Sequence, residues 1–466
     1  MSRRAGPLLI AMVMAGSLFA PLSVSAKIVV QEGFEDETWT EGMIDVRSLD
    51  LSRTEVNGGG FAGNGLEVVI PEGGFRGLGP MNRLEPAPRE AWYRYHVRLL
   101  HWNAAFKGKL PGLAGLYSSS GRGCIPPTES RPGWSARGLF GPPGTEGAPA
   151  GQIPIGTYLY HVDQGGTCGD DLWWQGAALQ PGRWHCVEGH VRLNDPSAHN
   201  GRLHGWLDGK LRFEMGGIAF RRPGENYIGI RHMWHNVYFG GDWPTPNRLD
   251  LIIDQVVVST HGRVGCMDPF TDDNSSLFRP ALTEFHARGL LFGCGYRLAC
   301  PDRTITRGEA AAFFHRVMGL PSTTKDFFRD DGNSRFQNAI NRLAAEGIVR
   351  GCAPRAFCPD RLLTRAEFAA MAVRALGLSR DVPNAFSDDD RHWAESAIDA
   401  FSAAGITRGC APESFCPNRR LTRGEASAFF VRVDDLMQPL GQASAPTPPS
   451  YPPPGDPPVK PPEEQD

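Results

Sequence analysis

The chain has 466 residues, a formal net charge of −3 and ten cysteines. That charge leaves no electrostatic footprint for nucleic acid, and the length points to two or more domains. Its 56 glycines and 39 prolines favour turn-rich β structure and unstructured tails.

Residues 1–26 read as a secretory signal peptide. Arg3 and Arg4 open it, Leu8 to Ala20 is an apolar stretch too short to span a bilayer comfortably, and Val24, Ser25 and Ala26 form a small-residue cleavage site before Lys27. No later stretch is apolar enough to cross a membrane, so no transmembrane segment is expected after cleavage. An exported protein also accommodates cysteines as disulfides.

Residues 27–265 carry short alternating runs between Gly, Pro and Asn clusters, the pattern of an all-β two-sheet sandwich of jelly-roll type. Tyr93, Tyr95, Val97 and Leu99 share one strand face. Asp208-Gly209 between Leu203–Trp206 and Lys210–Phe213 is a hairpin signal, and Leu251 to Val258 reads as a final buried strand. Four segments are too polar or aromatic for core alone: 108–113, 134–137, 158–164 and 236–241. Residues at i and i+2 of a strand point the same way, so Ser135 aligns with Arg137 and Tyr158 with Tyr160. If those strands are neighbours, the four line one surface, and Lys109 can join them.

That set suits β-elimination from a uronic-acid polymer. A cation neutralises the carboxylate and acidifies the neighbouring proton, a base removes that proton, and an acid protonates the departing glycosidic oxygen. Lys109 and Arg137 supply charge, and a tyrosine beside them acts as base, acid or both. No metal or cofactor is required. The rival reading is a binding module or envelope-structure protein, because aromatic and basic residues on a sandwich face also hold sugars without cleaving them. His161 falls on the face opposite the tyrosines, whereas His232 and His235 lie near the Tyr238 corner as candidate cleft-lining residues. A Cys124–Cys168 bridge is expected, and the pairing of Cys186 and Cys266 stays open.

From residue 268 onward the sequence repeats with a period of 58: Cys294, Cys352 and Cys410; Cys300, Cys358 and Cys416; Arg307, Arg365 and Arg423; Asp272, Asp330 and Asp388. The repeats span 268–320, 326–378 and 384–437. Each opens on an aromatic and acidic turn and runs into an amphipathic helix. Gly347 and Gly405 stop that helix in the second and third copies. A cysteine loop then leads to a second helix capped by Thr306, Thr364 or Thr422, with Glu309, Glu367 or Glu425 completing a capping box. Disulfides 294–300, 352–358 and 410–416 are the simple reading of the cysteine pairs. The rival, zinc, lacks its usual two-residue spacing and paired histidines. Residues 438–466 form a Pro-rich tail with no packed core.

Two family resemblances attach to these motifs. Ile305-Thr306-Arg307-Gly308-Glu309, Leu363-Thr364-Arg365-Ala366-Glu367 and Leu421-Thr422-Arg423-Gly424-Glu425 resemble the S-layer homology repeat. The resemblance implies an all-α, three-fold pseudo-symmetric unit that holds an acidic secondary cell-wall polysaccharide in grooves between repeats, and hence cell-surface localisation. It assigns wall-polymer contact to Arg307, Arg365 and Arg423, with Asp272, Asp330, Asp388 and Trp393 beside them. Trp393 stands where the other copies have Leu277 and Arg335, so the grooves are not expected to be equivalent.

The run from Tyr93 to Val258 resembles polysaccharide lyase family 14, the alginate and glucuronan lyases. The resemblance is carried by 109–113, Trp134-Ser135-Ala136-Arg137, Tyr158 and Tyr160, 181–185, the 205–209 hairpin and the 238–241 corner. It implies an anionic polysaccharide substrate and places catalytic roles on Lys109, Ser135, Arg137, Tyr158 and Tyr160. The long Gly- and Pro-rich loops at 121–132 and 138–152 depart from the family and would rim the cleft.

Overall fold

The structure, a computed structural model, describes residues 27–36, 38–41, 43–44, 54–116, 123–241 and 243–441. The expected signal and most of the Pro-rich tail lie outside them. The chain divides into two compact units, Met1–Met267 and Asp268–Asp466.

The first unit is built from antiparallel strands. In chain order they are β1 (Ile28–Glu32), β2 (Met43–Ile44), β3 (Thr54–Asn57), β4 (Gly65–Ile70), β5 (Arg76–Leu78) and β6 (Met81–Arg83). β7 (Glu90–His101), β8 (Gly108–Ala114), β9 (Ser135–Phe140), β10 (Ile153–Tyr160), β11 (Asp170–Leu179) and β12 (Trp184–Arg192) follow. β13 (Gly201–Leu207), β14 (Lys210–Ile218), β15 (His232–Trp234), β16 (Val237–Phe239) and β17 (Leu249–Ser259) complete the unit.

They form two sheets. One runs β14-β13-β12-β7-β17-β4-β3, with β1 also on β17; the other runs β11-β10-β9-β8-β15-β6-β2, with β16 joining β8 to β5. Alternation along the strands fills the space between the sheets. Tyr93, Tyr95, Val97 and Leu99 of β7 meet Leu110 and Leu113 of β8, Ala136 of β9 and Leu159 of β10 in one apolar core. β17 is buried along its whole length, as its apolar run predicts.

The β13–β14 hairpin turns on Asp208 (φ 50°) and Gly209 (φ 77°), the two left-handed residues that a two-residue turn matching strand twist demands. The Asp208 carboxylate also accepts the Cys186 N–H at 2.9 Å and pairs with His185 at 2.8 Å, which pins the turn to β12. On the outer face of this sheet Cys186 is bridged to Cys266, settling a pairing the sequence left open. Arg263 pairs with the buried Glu188 nearby and lies 4.7 Å from the centre of the Trp206 ring.

Among the described residues the second unit holds six helices: α1 (Arg279–Ala287), α2 (Arg307–Val317), α3 (Gln337–Ala345), α4 (Arg365–Leu376), α5 (Glu395–Ala403) and α6 (Arg423–Gly441). α6 runs three residues beyond 438, where the sequence places the start of the tail, so the structured region is slightly longer than expected. The predicted capping boxes form. In each, the threonine hydroxyl accepts the glutamate N–H at 3.2–3.3 Å, and the carboxylate accepts the threonine N–H at 3.0–3.2 Å. Gly347 and Gly405 (φ 71° and 73°) end α3 and α5 in the left-handed conformation a C-cap needs.

Three repeats close into a ring. Ile305 N–H donates to Leu421 O, Leu421 N–H to Leu363 O and Leu363 N–H to Ile305 O, each at 3.0 Å. Every second helix packs on the first helix of the next repeat: α2 on α3, α4 on α5, α6 on α1. At the centre the rings of Phe314, Phe368 and Phe430 meet with centroids 4.7–5.2 Å apart. Phe314 and Phe430 are equivalent positions. The second copy has Ala372 there, and Phe368, one helical turn earlier, fills the gap while Ala310 and Ala426 stand at its equivalents. Volume is conserved where sequence symmetry is broken.

Candidate functional site

The outer face of the second sheet gathers the residues expected to act together. Tyr158 stands opposite Arg137, and Tyr160 opposite Ser135, on adjacent strands β10 and β9. The row continues across the sheet: Asp171 opposite Tyr158, Gly112 opposite Arg137, and Trp234 opposite Gly112. Lys109 lies on β8 opposite Leu139, with Tyr238 of β16 on its other side. The period-2 argument thus carries over, because Ala136 and Leu159, between the polar residues, point into the core.

Cations and rings interleave on this face. Lys109 Nζ lies 4.6 Å from the Tyr158 ring centre and 5.5 Å from that of Tyr238, and donates to Gly240 O at 3.1 Å. The Arg137 guanidinium lies over Trp234 at 4.5 Å, near Tyr158 and Tyr160 at 5.3 and 5.9 Å, and donates to Asn236 Oδ1 at 3.1 Å. Glycine is needed at 112, where a Cβ would meet the Ala136 carbonyl oxygen at 2.3 Å. The Tyr158 and Tyr160 rings meet edge-on, 5.4 Å apart at 87°. Ser135 is fully buried beside them.

Burial sets the protonation states. It pushes the Lys109 ammonium down to about 7, helped by Arg137 and Lys107 and opposed by Asp171. Burial raises the Tyr158 phenol well above its ordinary value, despite Arg137 and the Gly169 N–H, which favour the anion. Lys109 is thus the basic group of the pair and Tyr158 the one that keeps its proton.

His232 lies in the row of Ser135 and Tyr160, opposite Ala114, as a cleft-lining position requires, whereas the other two histidines stand apart from this set. His161 pairs with Asp170 at 2.8 Å. His235 is fully buried against Asn82 at 2.6 Å and pushed down to about 4, so it is a neutral core residue and not a cleft-lining one. Trp234 and Asn236, which support Arg137, received no role from the sequence. The polar segment at 236–241 was visible, but its partner lies about 100 residues away.

In the second unit the residues expected at the wall polymer have partners within the ring. Arg307, Arg365 and Arg423, expected to touch a wall polymer, are buried as struts between repeats. Arg307 donates to Phe357 O, Arg350 O and Glu367, at 2.9, 2.8 and 3.2 Å. Arg365 donates to Phe415 O and Glu425, and Arg423 to Ala299 O and Phe292 O. Each reaches the next repeat, and the third reaches back to the first. A guanidinium offers five donors in a fixed fork, which suits a joint lined by backbone carbonyls.

Asp272, Asp330 and Asp388 are likewise clamps. Each carboxylate accepts two backbone N–H groups of the cysteine loop, at 2.6–2.8 Å. The second of these belongs to Cys300, Cys358 or Cys416, residues in the left-handed region at φ 49–59°. The clamp and the 294–300, 352–358 and 410–416 disulfides hold that turn. The sulfur atoms are bonded to each other and the carboxylates are spent on amides, so this donor set does not fit zinc. Trp393 is two-thirds exposed, and its equivalents Leu277 and Arg335 are exposed as well.

A groove of about 740 Å³ lies between the first two repeats. Arg303, Arg316, Arg335 and His315 line it with the apolar Phe292, Phe313 and Phe336; Glu309 is its single acid, and Arg423 reaches it from the third repeat. Arg303 pairs with Glu309, and Arg316 is braced by Leu290 O at 2.6 Å. Arg335 is exposed, its guanidinium 4.7 Å from the Phe336 ring centre.

Comparisons with known proteins divide at the same place. The family model for Polysaccharide lyase 14 matches residues 70–254, and the S-layer homology domain matches 327–369 and 385–427. A cellulosome-anchoring protein of Acetivibrio thermocellus is 29% identical over 144 residues, 28% of this chain and 32% of that protein. An S-layer protein of Bacillus licheniformis is 29% identical over 140 residues, 29% of this chain and 16% of that one. The matched part is therefore a third or less of the length of these relatives. Among solved structures, an alginate lyase from Aplysia kurodai aligns at 18% identity and TM-score 0.37, covering 44% of this chain and 87% of that one. An endo-β-1,4-glucuronan lyase from Trichoderma reesei aligns at 15% identity and TM-score 0.36, covering 50% and 96%. The β-sandwich thus matches the polysaccharide lyase 14 model over residues 70–254, and the second and third repeats of the helical ring match the S-layer homology domain.

Proposed function

We propose that the chain is a cell-surface polysaccharide lyase that cleaves a uronic-acid polymer by β-elimination while its repeats hold it to the wall. The observation that carries this reading is Lys109, held near neutrality beside the permanent cation Arg137 and the protonated Tyr158. Arg137 neutralises the uronate carboxylate, which makes the adjacent C–H acidic. Neutral Lys109 takes that proton. The C–H electron pair becomes the new double bond, the glycosidic C–O bond breaks, and Tyr158 protonates the departing oxygen.

A binding module would be better served by a lysine that stays fully charged. One depressed to about 7 is a poor carboxylate anchor and a good base. The test is to incubate the full chain with alginate, glucuronan and related uronic polymers and follow the ultraviolet absorbance of the conjugated product. A rise that Tyr158→Phe removes is expected. Binding to those polymers with no rise on any of them rejects the lyase reading.

For anchoring, the groove between the first two repeats is the best-suited site for an acidic wall polysaccharide, because its cations outnumber its single acid. Arg335→Glu changes an exposed side chain at no cost to the ring. Retention on purified cell walls should drop by roughly tenfold or more, since hydrogen bonds to charged groups contribute about 1.5–3 kcal/mol. Undiminished retention would take the groove out of wall binding.

A further inference from the structure

The Cys124–Cys168 bridge joins two exposed loop residues, so it is not a staple of the core. It is placed against the tyrosine pair. The Cys124 N–H donates to the Tyr160 hydroxyl at 2.9 Å, and the N–H of Gly169, next to Cys168, donates to the Tyr158 hydroxyl at 3.1 Å. The two rings meet edge-on, 5.4 Å apart. Cys124 itself is held in the left-handed region at φ 57°, a conformation that persists only where the surroundings enforce it. On the other side of the bridge, the Gln164 amide grips Cys168 O at 3.0 Å and accepts the His161 N–H at 3.2 Å. Two loops 44 residues apart in sequence thus deliver one fixed backbone donor to each tyrosine.

We propose that the Cys124–Cys168 disulfide is a positioning element for proton transfer, holding the Cys124 and Gly169 amides on the tyrosine pair so that the charge left on Tyr158 meets donors already in place. The inference rests on the lyase reading above. In the step, the Tyr158 O–H bond breaks, its proton goes to the departing glycosidic oxygen, and the electron pair stays on the Tyr158 oxygen. The Gly169 N–H already points at that oxygen. The neighbouring Tyr160 is fixed in turn by the Cys124 N–H. Donors fixed before the charge appears need no reorganisation, which is what makes such contacts effective.

The test uses the full chain. Cys124→Ser with Cys168→Ser should lower kcat by about 10²-fold, the lower end of what losing a preorganised donor costs, with KM little changed. The matching change at Cys186 and Cys266, which bridge β12 to the segment after β17, should leave kcat as it is. In a Tyr160→Phe background, removing the bridge should cost less than it does in the unaltered chain, because only the Gly169 donor is then left to displace. Full kcat without the bridge, or losses that simply add, overturn the proposal. If thermal melts show that the bridge variant does not fold, Tyr160→Phe alone decides, since it leaves both cysteines and the backbone in place. A loss of similar size supports the role, and full-rate turnover overturns it. Absence of turnover by the unaltered chain on every uronic polymer removes the lyase reading, and this role with it.

Discussion

Lys109→Arg is expected to lower kcat on whichever uronic polymer the chain cleaves by about 10²–10⁴-fold, the usual contribution of a positioned general base. The substitution keeps a cation on the sheet and removes the one that titrates near neutrality. In the unaltered chain, kcat/KM should climb as pH rises through about 7, where Lys109 loses its proton, and level off above it. The arginine variant should lack that limb. If Lys109 served only to neutralise the carboxylate, arginine would preserve most of the rate and no such limb would exist.

Stability should rise with pH as well, over the range just above that limb. Between about 7 and the ordinary 10.5, the folded chain holds Lys109 neutral while the unfolded chain keeps it charged. A buried charge therefore disfavours the fold at full strength below that window, and the penalty fades as pH rises through it. Lys109→Met removes the penalty, so its melting temperature at acidic pH should be at least that of the unaltered chain. Loss of turnover in that variant is then a loss of chemistry and not of fold.

Much of this site was legible because strand geometry has a strict period of two. Once Tyr158 and Tyr160 are placed on a strand, their shared face follows, and so does that of Ser135 and Arg137. The capping boxes were legible for a similar reason, since donor and acceptor lie three residues apart. Long-range partners were not. Nothing local to Arg137 announces Trp234 or Asn236, and nothing in the spacing of Cys186 announces Cys266, 80 residues on. The arginines of the repeats show the deeper limit. A guanidinium suits a carboxylate ligand and a cluster of backbone carbonyls equally well. Only burial separates the two uses, and burial at Arg307 is decided by a loop 50 residues further along the chain. The aspartates are the same case: Asp272 looks like a ligand group until both its oxygens are found on Ala299 and Cys300 amides.

Arg307→Ala should therefore act on the ring before it acts on any ligand. Removing it strands the Phe357 and Arg350 carbonyls and one partner of Glu367. Breaking a buried pair from one side typically costs about 3–5 kcal/mol. Glu367 still pairs with Arg361, which places the expected loss near the lower end, about 3 kcal/mol. For a unit of this size that is a fall in melting temperature of roughly 10 °C. Arg365→Ala should cost less. Its Nη2 has no partner in the structure, whereas the Nη2 of Arg307 finds Arg350 O and that of Arg423 finds Phe292 O. The equivalent carbonyl for Arg365 belongs to Arg408, and the next residue, Gly409, has φ 88°, a left-handed value that Gly293 and Gly351 do not share. The backbone turns differently at that point, so a donor is already lost in the native chain and its removal costs nothing more. Thermal melts of the two variants, alongside retention on purified walls, separate the roles. A larger loss at Arg307 than at Arg365, with wall retention falling only as far as folding does, marks both as struts. Unchanged melts with retention abolished would return both arginines to the polymer.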